Sequence, residues 1–505
     1  MPSIIPPRER FVRKSPNAAC PAALPGGCAG WRSICPANVM WAVLIIAWTV
    51  LGCARQTPTS VQASEPPTAL PVAEPAAIEV TRVVLSERIV EATPLPPHAC
   101  APRLLEEAQE IVIALLAPIS EPSSLAAALG VQTSLSMAID EVNEGGGIGG
   151  KTVRLWIGDT AGEVDQAAHQ AVQSITIGCA TAIIASANNG AAHAILEVAH
   201  RYGVPLLIVD APDDDLTASQ YPEIFRLAPT NSMLVQTPAM WLEAVGDFNA
   251  DGKRSALVIT DESDAGADHA QWIRDELGRH GFETDAYTVM LPSQDFSSLI
   301  ARLVVRPVMP DVIFIRISGD DALILQRQLL ENGIGPLKQS LIVAARAALD
   351  DGRFWATVGP AGTYAVVGRL GPWDSTVDEV GRRFATEYAT YLDRWPDAAS
   401  FAAFDAMHLL ADAMMRAPTL TADDLIVALE QSDIQGASGS VRFPFGSKAK
   451  PADAGMEPWA WHQWLEPAHM FLQYTEPNQR ATEMAIIWPP QVATVAGAVV
   501  RPTSP

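Results

Sequence analysis

Positive charge is scarce in this chain relative to negative. Lys and Arg number 34 against 57 Asp and Glu, a formal net charge of −23. Five of the basic residues (Arg8, Arg10, Arg13, Lys14, Arg32) and one acid, Glu9, fall in residues 1–53. The remainder therefore carries 34 − 5 = 29 basic and 57 − 1 = 56 acidic residues, a net of −27. A surface of that sign repels phosphate backbones and anionic headgroups, so nucleic acid is excluded as a partner. Cysteine is scarce as well: Cys20, Cys28, Cys35 and Cys53 lie in the first 53 residues, which leaves Cys100 and Cys179. No CxxC or zinc-ribbon spacing is present, and neither is G-x-S-x-G, H-E-x-x-H or a P-loop. Nothing points to an enzyme, a metal or a cofactor. Long apolar runs are missing too, apart from the thirteen residues Val39 to Leu51, whereas a membrane span needs about 20.

That run has its own meaning. It follows a basic stretch, is uncharged, and ends in Val50-Leu51-Gly52-Cys53, the layout of an export signal. The four residues resemble the bacterial lipobox, which implies lipidation at Cys53 and a membrane attachment. An uncleaved membrane anchor is the alternative, and either reading puts the bulk of the chain outside the cytoplasm. There Cys100 and Cys179 form a candidate disulfide pair, with two unpaired thiols as the other reading.

Residues 54–107, rich in Pro, Ala, Thr and Glu without periodicity, read as a disordered tether. Order is expected from the continuous apolar run Ile111 to Leu116, typical of a strand buried on both faces. Apolar strands at 153–158, 181–185, 205–209, 256–260, 312–317, 341–345 and 363–367 then alternate with helical segments, which implies parallel sheets joined by right-handed crossovers. Some 380 ordered residues exceed what one core supports, so two α/β lobes are expected. After Pro372 come helices at 378–394, 400–416 and 422–432, then short strands near Ser440–Phe443 and Met470–Gln473. The tail after Gln491 reads as disordered.

The most informative segment is AIDEVNEGGGIGGKTVRLWIGD, Ala138 to Asp159. Gly145, Gly147 and Gly150 copy the spacing of a dinucleotide-binding loop, but the order of elements is wrong for one. Leu135, Ala138, Ile139 and Val142 recur at helical spacing before the glycines, and Val153, Leu155 and Ile157 alternate after them. A phosphate loop must instead leave a strand and open a helix. The glycines end a helix, where positive φ is required.

This segment, with IVIALLAPIS, RYGVPLLIV, FRLAPTN, SFAAFDAMHLLADAM and SGSVRF in the same order, resembles the type I periplasmic solute-binding proteins, specifically the branched-chain amino-acid-binding group of ABC importers. The resemblance spans Ile111–Pro489. It implies an α/β fold of two Rossmann-like lobes with three interlobe crossovers, one lobe from about 108–228 and 372–437, the other from about 229–371 and 438–490. It also implies a small-molecule ligand held between the lobes and ABC permease subunits as partners. A non-transporting envelope lipoprotein that uses the fold for sensing or protein contact is the alternative.

By the same resemblance, the ligand carboxylate is received at Asn188, Asn189 and Gly190, then at Asp210 and Ala211 with Asp213 just beyond. The second lobe contributes Ser263 and Ala265, a position at Ile317 or Ser318, and Ala345-Arg346. Asparagine amides can donate to a carboxylate, but an aspartate beside one repels it unless a cation intervenes. Three further patterns are read as structural. His193, Glu197 and His200 share one helix face, opposite an apolar stripe, and are expected to be solvated. Asp247 to Gly252 begins like a calcium loop but has Val258 where a glutamate is required. Trp459, Trp461 and Trp464 are expected to pack in a second-lobe extension.

Overall fold

The computed structural model describes residues 102–502 except 123, 318 and 338. The leader, Cys53, Cys100 and nearly all of the tether lie outside the described residues. So does Ser318.

The first lobe is built on a five-stranded parallel sheet of order β2-β1-β3-β4-β5. Its strands are β1 (Ile111–Ala117), β2 (Val153–Asp159), β3 (Ala182–Ala185), β4 (Leu206–Ile208) and β5 (Ile224–Arg226). All seven residues of β1 are buried, as an apolar run covered on both faces must be. Helices α1 (Leu125–Glu144), α2 (Val164–Thr176), α3 (Asn189–Tyr202) and α4 (Asp215–Ala218) connect them. The glycine stretch does end α1. The Gly147 N–H donates to the Val142 carbonyl at 2.9 Å, and at its φ of +74° a Cβ would stand 2.0 Å from the Lys151 carbonyl oxygen. Only glycine fits there. The Asn143 amide then ties helix to strand, bonding both the N–H and the carbonyl of Val153.

The second lobe holds α5 (Asn231–Val245), β6 (Ser255–Asp261), α6 (Asp264–Arg279), β7 (Glu283–Val289), α7 (Ser297–Val304), β8 (Val312–Arg316), α8 (Gly319–Glu331), β9 (Leu341–Ala344), α9 (Asp351–Thr357) and β10 (Val366–Leu370). The chain returns to the first lobe for α10 (Glu379–Leu392), α11 (Ala398–Arg416), α12 (Ala422–Glu430) and the hairpin β11 (Asp433–Gly436) with β12 (Gly439–Arg442). It ends in the second with β13 (His469–Gln473) and β14 (Ala485–Trp488). The second sheet has order β14-β13-β10-β9-β8-β6-β7, with β13 and β14 antiparallel. The three crossings run side by side: Ala228, Pro229, Gly371, Pro372, Pro467 and Ala468 line one small void. The Gly371 N–H donates to Ala468 O at 2.8 Å.

Three expectations are corrected. The tryptophan cluster belongs to the first lobe: the Trp461 indole donates to Tyr221 O, the Trp464 indole to Ser440 O, and Trp459 O accepts from Thr217. Residues 451–464 therefore strap the first lobe, and the third crossing falls at 465–468 rather than near 438. The tail is packed as far as it is described, because Val499 and Val500 meet the second core and Ala498 O accepts from the Trp241 indole. At the other end, residues 105–107 form a 3-10 turn whose Leu105 packs on the first core. Sequence periodicity also missed the short strands β5, β11 and β14 and the seven-residue β7. Cys179 is disulfide-bonded.

Candidate functional site

Parallel α/β sheets present loops and helix N-termini at the carboxyl ends of their strands. Here both sheets direct those ends into one cleft. A cavity of about 800 Å³ opens between the lobes, lined by Val209, Asp210 and Pro212 after β4 and by Arg316, Ile317 and Gly319 around the end of β8. Ala345 and Arg346 after β9, Arg369 of β10, His469 at the start of β13, Asp397 with Ala398 at the start of α11, and Asp261 at the end of β6 line it as well. A second pocket of about 320 Å³ adjoins it in the first lobe, at Ser186, Asn188, Asn189, Asp210 and Ala211.

The expected site residues divide. Asn188, Asn189, Asp210, Ala211 and Arg346 line these two spaces. Gly190 lies in the first turn of α3 behind Asn188. The Asn188 side chain is committed at both ends: its Oδ1 caps α3 by accepting from Ala191 N–H at 2.9 Å, and its Nδ2 donates to Gly162 O at 2.7 Å. It acts as a helix cap rather than an amide donor to the ligand. Asp213 turns away from the cleft to His193, with 2.9 Å between Oδ2 and Nε2. The Ser263 hydroxyl caps α6 and donates to Asp261, so it too is spent locally. Ala265 sits in the first turn of α6 with its side chain outside the described residues.

What sequence reasoning missed is the charge of the cleft. Asp397 caps α11 by accepting from Ser400 N–H at 2.9 Å and pairs with Arg346 across the lobes at 3.2 Å. Its carboxyl is nearly buried. Burial opposes ionisation, but Arg346, the Ser400 bonds and Arg394 outweigh it and hold the carboxyl below its usual range. Asp210 has an exposed side chain on the cleft wall, yet protein surrounds it on the remaining sides. That enclosure, and Asp397 beside it, push its carboxyl up to about 6 against the pull of the Ala211 N–H and Arg346. Arg369 is buried over Trp373, at 4.5 Å from the ring centroid, and donates to Pro372 O and Pro396 O. Burial and Arg346 lower it to about 9, so it stays charged at neutral pH. Burial and Arg316 push His469 down to about 3, which leaves it neutral. Arg316 and His469 stood in the sequence as polar residues at the edge of apolar strands, the one signal that could have found them.

The Asp210 shift gives a stability prediction. A carboxyl whose folded value lies above its ordinary 3.8 makes the folded state hold its proton longer. The penalty is absent below about pH 4, grows as pH rises towards 6, and is complete above it. Asp210→Asn is expected to raise the melting temperature of the empty protein at pH 7.5 by roughly 1–3 °C and to leave it unchanged at pH 4. Equal shifts at both pH values would contradict this assignment.

The remaining motifs are structural. His200 pairs with Glu223 at 2.8 Å and stacks on Tyr221, and Glu197 accepts from Tyr221, while His193 pairs with Asp213, so the three are engaged with neighbours of the fold and do not converge on one point. The carboxylate of Asp247 is used by the Asp251 and Gly252 N–H groups of its own turn. Among the described residues no cluster of His, Cys, Asp or Glu could hold a metal ion.

A two-lobed cleft of this kind has counterparts. A sequence profile of the periplasmic binding proteins matches residues 110–455. The chain belongs to that family. Among its relatives, Leu/Ile/Val-binding protein homolog 3 of Brucella melitensis is 26% identical over 253 residues, half of this chain. The aligned part spans 64% of that relative's length. A putative branched-chain amino acid ABC transporter structure from Silicibacter pomeroyi superposes with a TM-score of 0.61 at 22% identity, covering 76% of this chain and 98% of the other. A branched-chain amino acid transporter substrate-binding protein from Streptococcus pneumoniae, in complex with isoleucine, gives 0.57 at 19%, covering 78% and 100%. The two solved structures show the fold, and membership of the family implies an extracytoplasmic setting and places the chain among solute binders rather than enzymes.

Proposed function

We propose that the chain is the extracytoplasmic solute-binding lipoprotein of an ABC importer, tethered through Cys53, with Cys100 and Cys179 as its disulfide. It captures a small polar metabolite, an amino acid or a related amide or acid, between its lobes and presents it to the permease subunits. The observation that carries this reading is the interlobe cavity of about 800 Å³ with charged side chains supplied from both lobes, a size suited to a small molecule. Ligand shifts a hinge only through better affinity for the closed form, and Arg346 with Asp397 already spans the two lobes. The relatives' names support an amino acid as the class.

The test is thermal unfolding of the purified chain against a panel of amino acids, amides and small acids. A true ligand at a hundred times its Kd adds about 2.7 kcal/mol of stability, a rise of about 3 °C for a chain this long. No shift with any compound removes the importer reading.

A further inference from the structure

Among the described residues, the ionisable side chains lining the interlobe cavity are sorted by lobe. The first lobe supplies two acids, Asp210 and Asp397. The second supplies Arg316, Arg346 and Arg369, one acid, Asp261, and the neutral His469. That is −2 facing 3 − 1 = +2. The sum is zero, yet the cavity has a direction. The α3 N-terminus, whose N–H groups would ordinarily attract an anion, shares its pocket with Asp210, and the Asn188 amide is spent on the cap and on Gly162. A carboxylate placed there would meet the Asp210 carboxylate in its own pocket, with Asp397 close behind it. On the opposite wall, Arg346 gives one hydrogen bond to Asp397 while 69% of its side chain remains exposed, and Arg316 reaches the same cavity from the end of β8.

Resting on the solute-binding reading, we infer that ligand polarity is set from the second lobe. Arg346 and Arg316 receive the ligand's carboxylate, and Asp210 of the first lobe receives its cationic end. Arg346 carries the specificity. Its planar fork matches a carboxylate with two parallel N–H donors, and it reaches that position from a pair with Asp397 that already bridges the lobes. The ligand class this geometry takes is a small zwitterion whose cationic group turns to the first lobe and whose carboxylate turns to the second. Asp210 then gains a counter-ion of its own, whereas in the empty cleft the pull of Arg346 does not offset burial and its carboxyl stays raised. Arg316 supplies a second positive charge beside the neutral His469 ring, and among the described residues the acids lining this side of the cavity are Asp397, already paired with Arg346, and Asp261.

The experiment is titration calorimetry of the purified chain with the proteinogenic L-amino acids, followed by the carboxamide and the des-amino acid of the tightest binder. Each compound is measured on the wild type, Arg346→Gln, Arg346→Lys and Asp210→Asn, with melting curves to confirm folding. On the wild type, both analogues are expected to bind at least tenfold more weakly than the parent. The parent loses at least tenfold on Arg346→Gln and recovers part of that on Arg346→Lys. The carboxamide is indifferent to Arg346→Gln, and the des-amino acid is indifferent to, or bound more tightly by, Asp210→Asn. The carboxamide losing affinity on Arg346→Gln as strongly as the parent does would overturn the inference, because the carboxylate would then lie elsewhere, and the solute-binding reading would stand. Amino acids failing while uncharged amides or simple acids bind would likewise overturn the inference alone. Silence across every compound overturns both. The analogue series on the wild type reads the same question if a variant fails to fold.

Discussion

Arg226→Ala is expected to destabilise the first lobe by about 3–5 kcal/mol, the cost of a cavity in place of a buried side chain and of acceptors left without their donor. Arg226 is fully buried at the end of β5. Its Nε donates to Gln463 Oε1 at 2.6 Å, one terminal nitrogen to Thr217 Oγ1 at 2.5 Å, and the other to Asp213 O. Burial lowers its pKa to about 10, with Asp214 and Asp213 opposing the fall, so the guanidinium is charged at neutral pH. Alanine would leave three buried acceptors without their donor. The backbone of the same residue pairs with the strap, accepting from Trp464 N–H and donating to His462 O. Gln463 in turn donates to Ala228 O at 2.9 Å, which fixes the first crossing beside the cavity. Loss of the network should therefore loosen 451–464. Limited proteolysis should cut the variant inside that segment before any other, and chemical denaturation should show the loss in stability. A denaturation midpoint equal to that of the wild type would show that the strap holds without Arg226. Arg226→Met with Gln463→Leu, which removes both partners, should recover much of the loss.

How much of this was legible beforehand depended on how far apart in the chain the cooperating residues lie. Local patterns were readable: the buried run of β1, the glycines that end α1, and the alternation of strand and helix each depend on neighbours within a few residues. The parts of the site that follow from chain order were readable as well. Asn188 to Gly190 do open α3, and Asp210 and Arg346 do reach the cleft. The partners that decide chemistry were not. Asp213 and Ser263 have the right types at the right places, yet His193 and Asp261 claim them, and those neighbours are set by rotamer and loop path. Asp397 looked like an ordinary residue before a helix, 187 positions from Asp210, and only the crossing of the chain brings them together. Arg226 ends an otherwise apolar strand, and nothing in its surroundings in the sequence announced Gln463. The tail after Gln491 is small and weakly polar, but its pairing with Gln473 and Trp241 draws on the far end of the second sheet.

The second large effect is a block of the cleft. Ala127 is half-buried in the first turn of α1 and lines both the interlobe cavity and the pocket beneath it. Its methyl group leaves the space open, and an indole in its place would stand in the volume the ligand needs. The substitution falls at an exposed edge of a helix rather than in a core, so the fold should tolerate it with a change of about 1 kcal/mol or less. Binding, by contrast, should fall by a hundredfold or more, because overlap with a trapped ligand cannot be relieved while the lobes close. The same substitution leaves the charges of Asp210, Arg316 and Arg346 in place, so it tests location separately from polarity.

The central claim is that one small solute is held between the lobes of this chain. Calorimetric titration of the wild type and of Ala127→Trp with the compound that raises the melting temperature most tests it directly. The account predicts one site per wild-type chain and no measurable heat from an Ala127→Trp protein that still melts cooperatively. Equal affinity in the two proteins would place the ligand outside the cleft and contradict the account.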